Sequence, residues 1–370
     1  MPPQDRPEVL WIGPHGSQDT SGEVIYDRKI APALTAAANV SFYMPPRVGR
    51  LRKLLRLLRG QAWHWASYYT QQSLREMRAQ ARTADIVVCS WEKYDGFAEV
   101  VDRPVVLILH NIASDTARQV FPGDIFAQFM GWRTLVHEKR VYTRSNIKAI
   151  LVLSLRDKRL LEEMGVRVPV LWAPPGTPSA VPLAQEAAFS PVLTFSGSCD
   201  WFPKRRDLGR FLQDVQTLGL SLESDETITE DIRHGVPITP ARFTDPDHCA
   251  QTLRIGVIPD RFVAGHKLKA GFYISHNAIV LSYADIREEF AGLPHAEDFV
   301  RFVTGPEDLQ VALKDFAARD SAALRDAFAT FRAACVERFS WQTVSTMLRD
   351  EVLAAAAGEG SNAGEVSILR

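Results

Sequence analysis

Short apolar runs punctuate this chain, each bounded by turn residues and separated from the next by a stretch with helical spacing. In the first half they read EVLWIG, NVSFYM, ADIVVCSW, PVVLILHN, AILVLS and VPVLWA; in the second, PVLTFSG, LRIGVIP and AIVLSY. Runs this short and this poor in charge suit strands buried on both faces, and parallel strands need a long crossover to join them. Helical spacing over Gly22–Ala38, Ser67–Arg82 and Leu155–Met164, from about Pro203, after Gly265 and on to the end supplies those crossovers. The pattern predicts an α/β chain of doubly wound parallel sheets.

With 370 residues the chain is long for one core, and TPSAVPLAQEAAFS, residues 177–190, interrupts the alternation with a Pro-, Ala- and Ser-rich stretch that has no period. The expected organisation is a Rossmann-like domain over 1–176, a linker over 177–190 and a second Rossmann-like domain over 191–340, the two facing across a cleft. A C-terminal helix over 341–357 is expected to cross back to the first domain, and 358–370 to form a mobile tail. The net charge of −1 argues against nucleic acid as a partner. Cys89, Cys199, Cys249 and Cys335 stand far apart, without metal-site spacing, so no metal and a reducing compartment are expected. MPPQDRPEVLWIG lacks the zones of a signal peptide, and no uncharged run reaches the roughly 20 apolar residues of a spanning helix. The expectation is a cytoplasmic protein.

Three stretches carry chemistry. In FSGS, residues 195–198, Gly197 between two serines permits close backbone approach to a phosphate, although a plain strand-to-helix turn reads the same way. GHKLKAGFYISHNAIVLSY, residues 265–283, places Gly265, Lys267 and Lys269 at a helix start. Cations there oppose the helix dipole unless an anion joins them, which suggests a diphosphate; a solvated charged face is the alternative. RVGRLRKLLRLLRG, residues 47–60, carries Arg47, Arg50, Arg52, Lys53, Arg56 and Arg59 with no acid, and Leu51, Leu54, Leu55 and Leu58 at helical spacing. Trp63, Trp65, Tyr68 and Tyr69 follow it. Such a basic amphipathic helix suits an anionic membrane surface, unless its leucines pack on the sheet instead. Finally, Gly13, Gly16 and Gly22 in GPHGSQDTSGE do not form G-x-G-x-x-G, which disfavours a dinucleotide dehydrogenase; flexible backbone facing a second ligand is preferred.

The order FSGSCDWFPKRRDLGRFL, IGVIPDRFVAGHKLKAGFYISHNAIVLSYADI and ERFSWQTVSTML resembles the donor-nucleotide domain of GT-B glycosyltransferases of the family-four type. VLILHNI followed by HEKRVYTRSNIKAILVLSLRDKRLLEEMGV is similar to their acceptor domain. The resemblance implies transfer of a sugar from a nucleotide diphosphate donor to a glycan or lipid-linked acceptor, in polysaccharide or glycoconjugate biosynthesis, at the inner face of the cell membrane. It implies a donor site at Ser196, Gly197, Ser198, Cys199, Arg261, Gly265, Lys267 and Lys269, with no metal or other cofactor. Arg50, Arg52, Lys53, Arg56, Trp63 and Trp65 would face the membrane or acceptor. The paired glutamates of retaining members fall on Ala264 and Phe272, so stereochemistry does not carry over; their glycine before the strand is Asn277. Xanthan-type glucuronosyltransferases also lack that pair and place an aspartate after the strand corresponding to VLILHN, where Asp115 is the nearest carboxylate. Asp115 is therefore the implied base, or else a helix N-cap, with His110 and Glu92 as the other candidates. An epimerase on the same fold and a catalytically silent scaffold are the rival readings.

Overall fold

The computed structural model describes residues 6–14, 22–59, 61–225, 228–241, 243 and 245–359, apart from the side chains of Glu23, Trp63 and His64. The loop glycine Gly16 and the tail from 360 onward lie outside these residues. The chain divides into two compact units. The first comprises Met1–Pro175, Ala264–His266 and Trp341–Arg370, the second Gly176–Val263 and Lys267–Ser340.

The first unit is built on six parallel strands: β1 (Glu8–Ile12), β2 (Asn39–Tyr43), β3 (Ile86–Ser90), β4 (Val105–Leu109), β5 (Ile147–Val152) and β6 (Val170–Trp172). Their order is β2-β1-β3-β4-β5-β6. Helices α1 (Gly22–Thr35), α2 (Arg50–Leu58), α3 (Trp63–Tyr68), α4 (Gln71–Ala81), α5 (Ala113–Val120), α6 (Ile125–Tyr142) and α7 (Leu155–Glu163) form the crossovers. Alternation along each strand divides the core into two layers. Leu10, Ile12, Val87 and Cys89 enter one layer with Tyr69, Met77 and Phe97. Val9, Trp11, Ile86 and Val88 enter the other with Tyr26, Ile30, Val344 and Leu348, the last two from the C-terminal helix.

The single helix expected over Ser67–Arg82 is instead two. Thr70 accepts from the backbone N–H of Ser73 at 2.9 Å and donates its own to Ser73 Oγ at 2.8 Å, a reciprocal cap that starts α4 and ends the preceding turn. Periodicity alone does not show such a cap.

The second unit has β7 (Ala188–Phe195), β8 (Leu222–Ser224), β9 (Ile238–Pro240), β10 (Thr252–Ile258), β11 (Ala278–Ser282) and β12 (Val300–Phe302). All are parallel, in the order β12-β11-β10-β7-β8-β9. β7 begins inside the stretch read as a linker. Between the strands lie α8 (Phe202–Thr217), α9 (Glu230–Arg233), α10 (Pro246–Gln251), α11 (Leu268–Ser275), α12 (Arg287–Phe290) and α13 (Ala296–Phe299). α14 (Pro306–Ala318) and α15 (Ser321–Arg338) complete this unit, and α16 (Trp341–Ala356) belongs to the first. Asn277 holds φ at 58°, the left-handed region that asparagine tolerates, while its amide donates to Cys249 O at 2.9 Å.

Candidate functional site

In an open parallel sheet the crevice lies beyond the carboxyl ends of the strands, where the strand order reverses. In the second unit that point falls between β7 and β10. The loop 196–201 leaves β7, and Asp260, Arg261 and Lys267 follow β10.

A missing side chain starts the construction. A Cβ on Gly256, in β10, would lie 2.4 Å from the Tyr273 ring, so glycine there lets the α11 tyrosine lie against the sheet. Its hydroxyl donates to Val257 O at 3.0 Å and accepts from the N–H of Ser196 at 2.9 Å, pinning the start of the β7 loop. Asp225, just past β8, takes Ser196 Oγ at 2.5 Å and the N–H of Gly197 at 3.2 Å. Gly197 can therefore hold φ at 100°, and a Cβ on it would sit 2.8 Å from Lys269 Cε.

Lys269 is thus laid along this turn, with its ammonium 4.1 Å from the centroid of the Phe195 ring. It makes no ion pair among the described residues. A small part of its surface stays open, yet the surrounding protein strips enough water to push its pKa down to about 8. Asp260 and Asp225 act against this fall, and Lys204 and Lys267 deepen it. Asp260 is buried, which raises its carboxyl, but Lys267, Lys269 and Lys204 hold it below the usual range. The long α8 begins beside this cluster at Phe202, without a side-chain cap on its first-turn amides.

The other expected donor residues are placed differently. Lys267 is the residue before α11 and turns its ammonium to Asp260 at 2.9 Å, so its charge is met within the protein. Arg261 is taken up by Asp214 at 3.1 Å and Thr304 O at 3.1 Å, over the Tyr283 ring. Ser198 bonds Asp200 at 2.8 Å. Cys199 is partly buried and in no disulfide, and Gly265, with φ at 59°, groups with the first unit. Asp260, Asp225, Lys204 and Tyr273 were missed by the sequence reading; they come from four separate segments, and no local motif joins them.

In the first unit the strand order reverses between β1 and β3. There Asp27 of α1 is fully buried and accepts from Trp11 Nε1 at 3.2 Å and from Ser90 Oγ. A Cβ on Gly13 would lie 2.6 Å from this carboxylate. Glu92 follows β3 and accepts from Asn111 Nδ2 at 3.2 Å, while His110 directly follows β4, edge-on to Tyr26. Asp115 is not the N-cap of α5, a place held by Ile112. It stands in the first turn and accepts from Arg156 at 2.9 and 3.1 Å and from Gln119 at 2.6 Å, with Arg118 at 3.6 Å.

α2 forms as a helix without a buried residue. Leu51, Leu54, Leu55 and Leu58 are 47% to 75% exposed, which removes the alternative that they pack on the sheet. Arg56 turns inward to Ala66 O and Tyr69 O. Trp65 stacks on Tyr69 with centroids 4.3 Å apart, and the side chain of Trp63 lies outside the described residues. Among the described residues no helix is long and apolar enough to cross a membrane.

No protein-family profile matches the sequence, and no curated protein matches it. Solved structures do match. Sucrose-phosphate synthase from Thermosynechococcus elongatus aligns over 96% of this chain and all of its own, with a TM-score of 0.65 at 13% identity. HepE of Anabaena, in complex with UDP and glucose, aligns over 94% of this chain and all of its own, with a TM-score of 0.61 at 10% identity. MnaA of S. aureus, in complex with UDP, aligns over 95% of this chain and 97% of its own, with a TM-score of 0.53 at 11% identity. The fold is that of the GT-B glycosyltransferases.

Proposed function

We propose that this protein is a glycosyltransferase that takes a sugar from a nucleotide diphosphate donor, bound at the β7 and β10 strand ends, to a glycan or lipid-linked acceptor bound by the first unit. The observation that carries this reading is Lys269. It is a largely dehydrated ammonium without an ion pair among the described residues, set at the strand-order reversal beside Lys204 and the open N-terminus of α8. An isolated cation in such a place is unfavourable until an anion arrives. A diphosphate matches it, and as the glycosidic bond breaks, charge growing on that leaving group would be met by the same lysine and by the helix amides. The UDP in HepE and in MnaA supports a nucleoside diphosphate as the anion.

For the acceptor hydroxyl, a base is needed in a single displacement. Asp115 would first have to leave Arg156, so we assign it to positioning that arginine. His110 takes the proton in our reading, because it directly follows β4 at the strand end, where a base can meet an acceptor hydroxyl, with Glu92 as its alternative. α2 would hold this unit against an anionic bilayer, at about 1 kcal/mol for each cation near the surface.

The test is a thermal-shift panel of nucleotide sugars, followed by turnover of the best binder with lipid-linked and soluble glycan acceptors. Release of nucleoside diphosphate that requires an acceptor is the expected result. Isomerised donor sugar without acceptor would replace this reading with an epimerase. Tight binding with no turnover on any acceptor would leave a silent scaffold.

A further inference from the structure

The outward face of α6 is apolar, where a surface helix is ordinarily polar. Ile125, Phe129, Trp132 and Val136 recur at helical spacing and are 50% to 87% exposed. They are not needed for the core, since Met130, Thr134, Glu138 and Val141 make up the buried face of the same helix. Between this stripe and the start of α3 runs a groove of about 590 Å³, walled by Ala62, Trp65, Phe129, Trp132 and Val136.

Three cationic or ionisable groups reach its lining, and two are already engaged. Arg140 holds Glu99 at 2.5 and 3.0 Å, and His137 lies 3.1 Å from the buried Asp95. Arg133 makes no ion pair among the described residues, and its guanidinium stands 5.7 Å from the Phe129 ring centroid. The groove therefore offers an aromatic wall and one uncommitted guanidinium. The segment leading into it, Arg47–Arg59, adds six cations and no acid.

We infer that this groove holds the hydrocarbon chain of a single-chain lipid phosphate, with Arg133 facing the phosphate. The inference rests on the first unit being the acceptor side, and it makes the acceptor, or its anchor, a prenyl- or acyl-type phosphate. A bare glycan would leave five apolar side chains against sugar hydroxyls. An apolar chain covers them, and its phosphate gives Arg133 the opposite charge it lacks. The volume has room for roughly 20 water-sized groups, enough for a chain of that many carbons or somewhat fewer.

The experiment titrates the whole protein with farnesyl phosphate, with farnesol and with inorganic phosphate, following tryptophan fluorescence, to which Trp65 and Trp132 contribute. Saturable binding of farnesyl phosphate is expected, at least tenfold tighter than of farnesol and with inorganic phosphate weaker still. Phe129→Ala and Trp132→Ala should each weaken it about tenfold, and Arg133→Gln should bring it to the level of farnesol. Phe129 and Trp132 are exposed and Arg133 is half-buried without an ion pair among the described residues, so thermal melts should match wild type and UDP affinity should not change. Wild-type protein that binds UDP but not farnesyl phosphate, or variants that bind it as wild type does, would overturn the groove assignment alone. Absence of UDP binding beside intact farnesyl phosphate binding would instead remove the donor reading and leave the groove. A dimer that dissociates in Trp132→Ala, without lipid binding, would assign the face to a second copy and overturn the inference.

Discussion

Replacing Lys269 by methionine should strengthen the empty protein and weaken its hold on a nucleoside diphosphate. The ammonium falls from 10.5 to about 8, which at 1.36 kcal/mol per pH unit corresponds to roughly 3 kcal/mol held against folding while both states are charged. Partial exposure and the lost contact with the Phe195 ring reduce this, so about 1.5 kcal/mol is the expected gain, or roughly 3–6 °C in melting temperature for a domain of this size. The gain depends on pH in a defined way. Between about 8 and 10.5 the unfolded chain keeps the proton that the native wild type has lost. Wild-type stability therefore rises through that window and the advantage of the variant shrinks. For UDP the direction is opposite: one charge-assisted contact is lost, about 1.5–3 kcal/mol, which is ten- to a hundredfold in affinity. Calorimetric melts at pH 7 and pH 10.5, with UDP titrations at equal salt, read both effects. A folded variant that melts no higher than wild type at pH 7 and binds UDP equally well would refute the placement of the donor site.

The same ammonium should make UDP affinity in the wild type fall by about tenfold per pH unit above pH 8, and titration calorimetry should find no such slope for Lys269→Met. Gly197→Ala should weaken UDP by several-fold and lower stability by about 1 kcal/mol, because φ of 100° strains a side chain whose Cβ would press on Lys269; urea melts and UDP titration check both. In the first unit, burial pushes Glu138 of α6 up to about 7 from 4.5, against the pull of Ser114. The native state then holds a proton that the unfolded chain has released, so wild-type stability falls as pH rises from about 4.5 to 7. Glu138→Gln should lack that fall, and urea melts at pH 5 and pH 8 should show the variant gaining at the higher pH only.

Nine of the strands were legible from local pattern, because an apolar run of five or so residues between turn residues has few other homes in a soluble chain. β8, β9 and β12 were not. Each is three residues long and holds at most two apolar side chains, in LES, ITP and VRF, so unlike the equally short β6 (VLW) it carries too little apolar sequence to declare itself. The break between α3 and α4 was hidden for a related reason: a reciprocal cap between Thr70 and Ser73 is a hydrogen-bonding event that hydrophobic spacing does not register.

The sequence by itself determined the α/β class, the two series of strands and the cations at the start of α11, since burial periodicity and helix-end electrostatics act over neighbouring residues. Only the tertiary structure decided which of those cations remains available. Lys267 and Lys269 are two residues apart and look equivalent in sequence, yet folding brings Asp260 to the first and the Gly197 turn and Phe195 ring to the second. Likewise Asp115 acquired Arg156 from 41 positions away, and the leucines of α2, equally able to pack or to face solvent, were left exposed. An ion pair or a covering helix depends on segments distant in the chain, and its partner is settled only when the sheets close their crossovers.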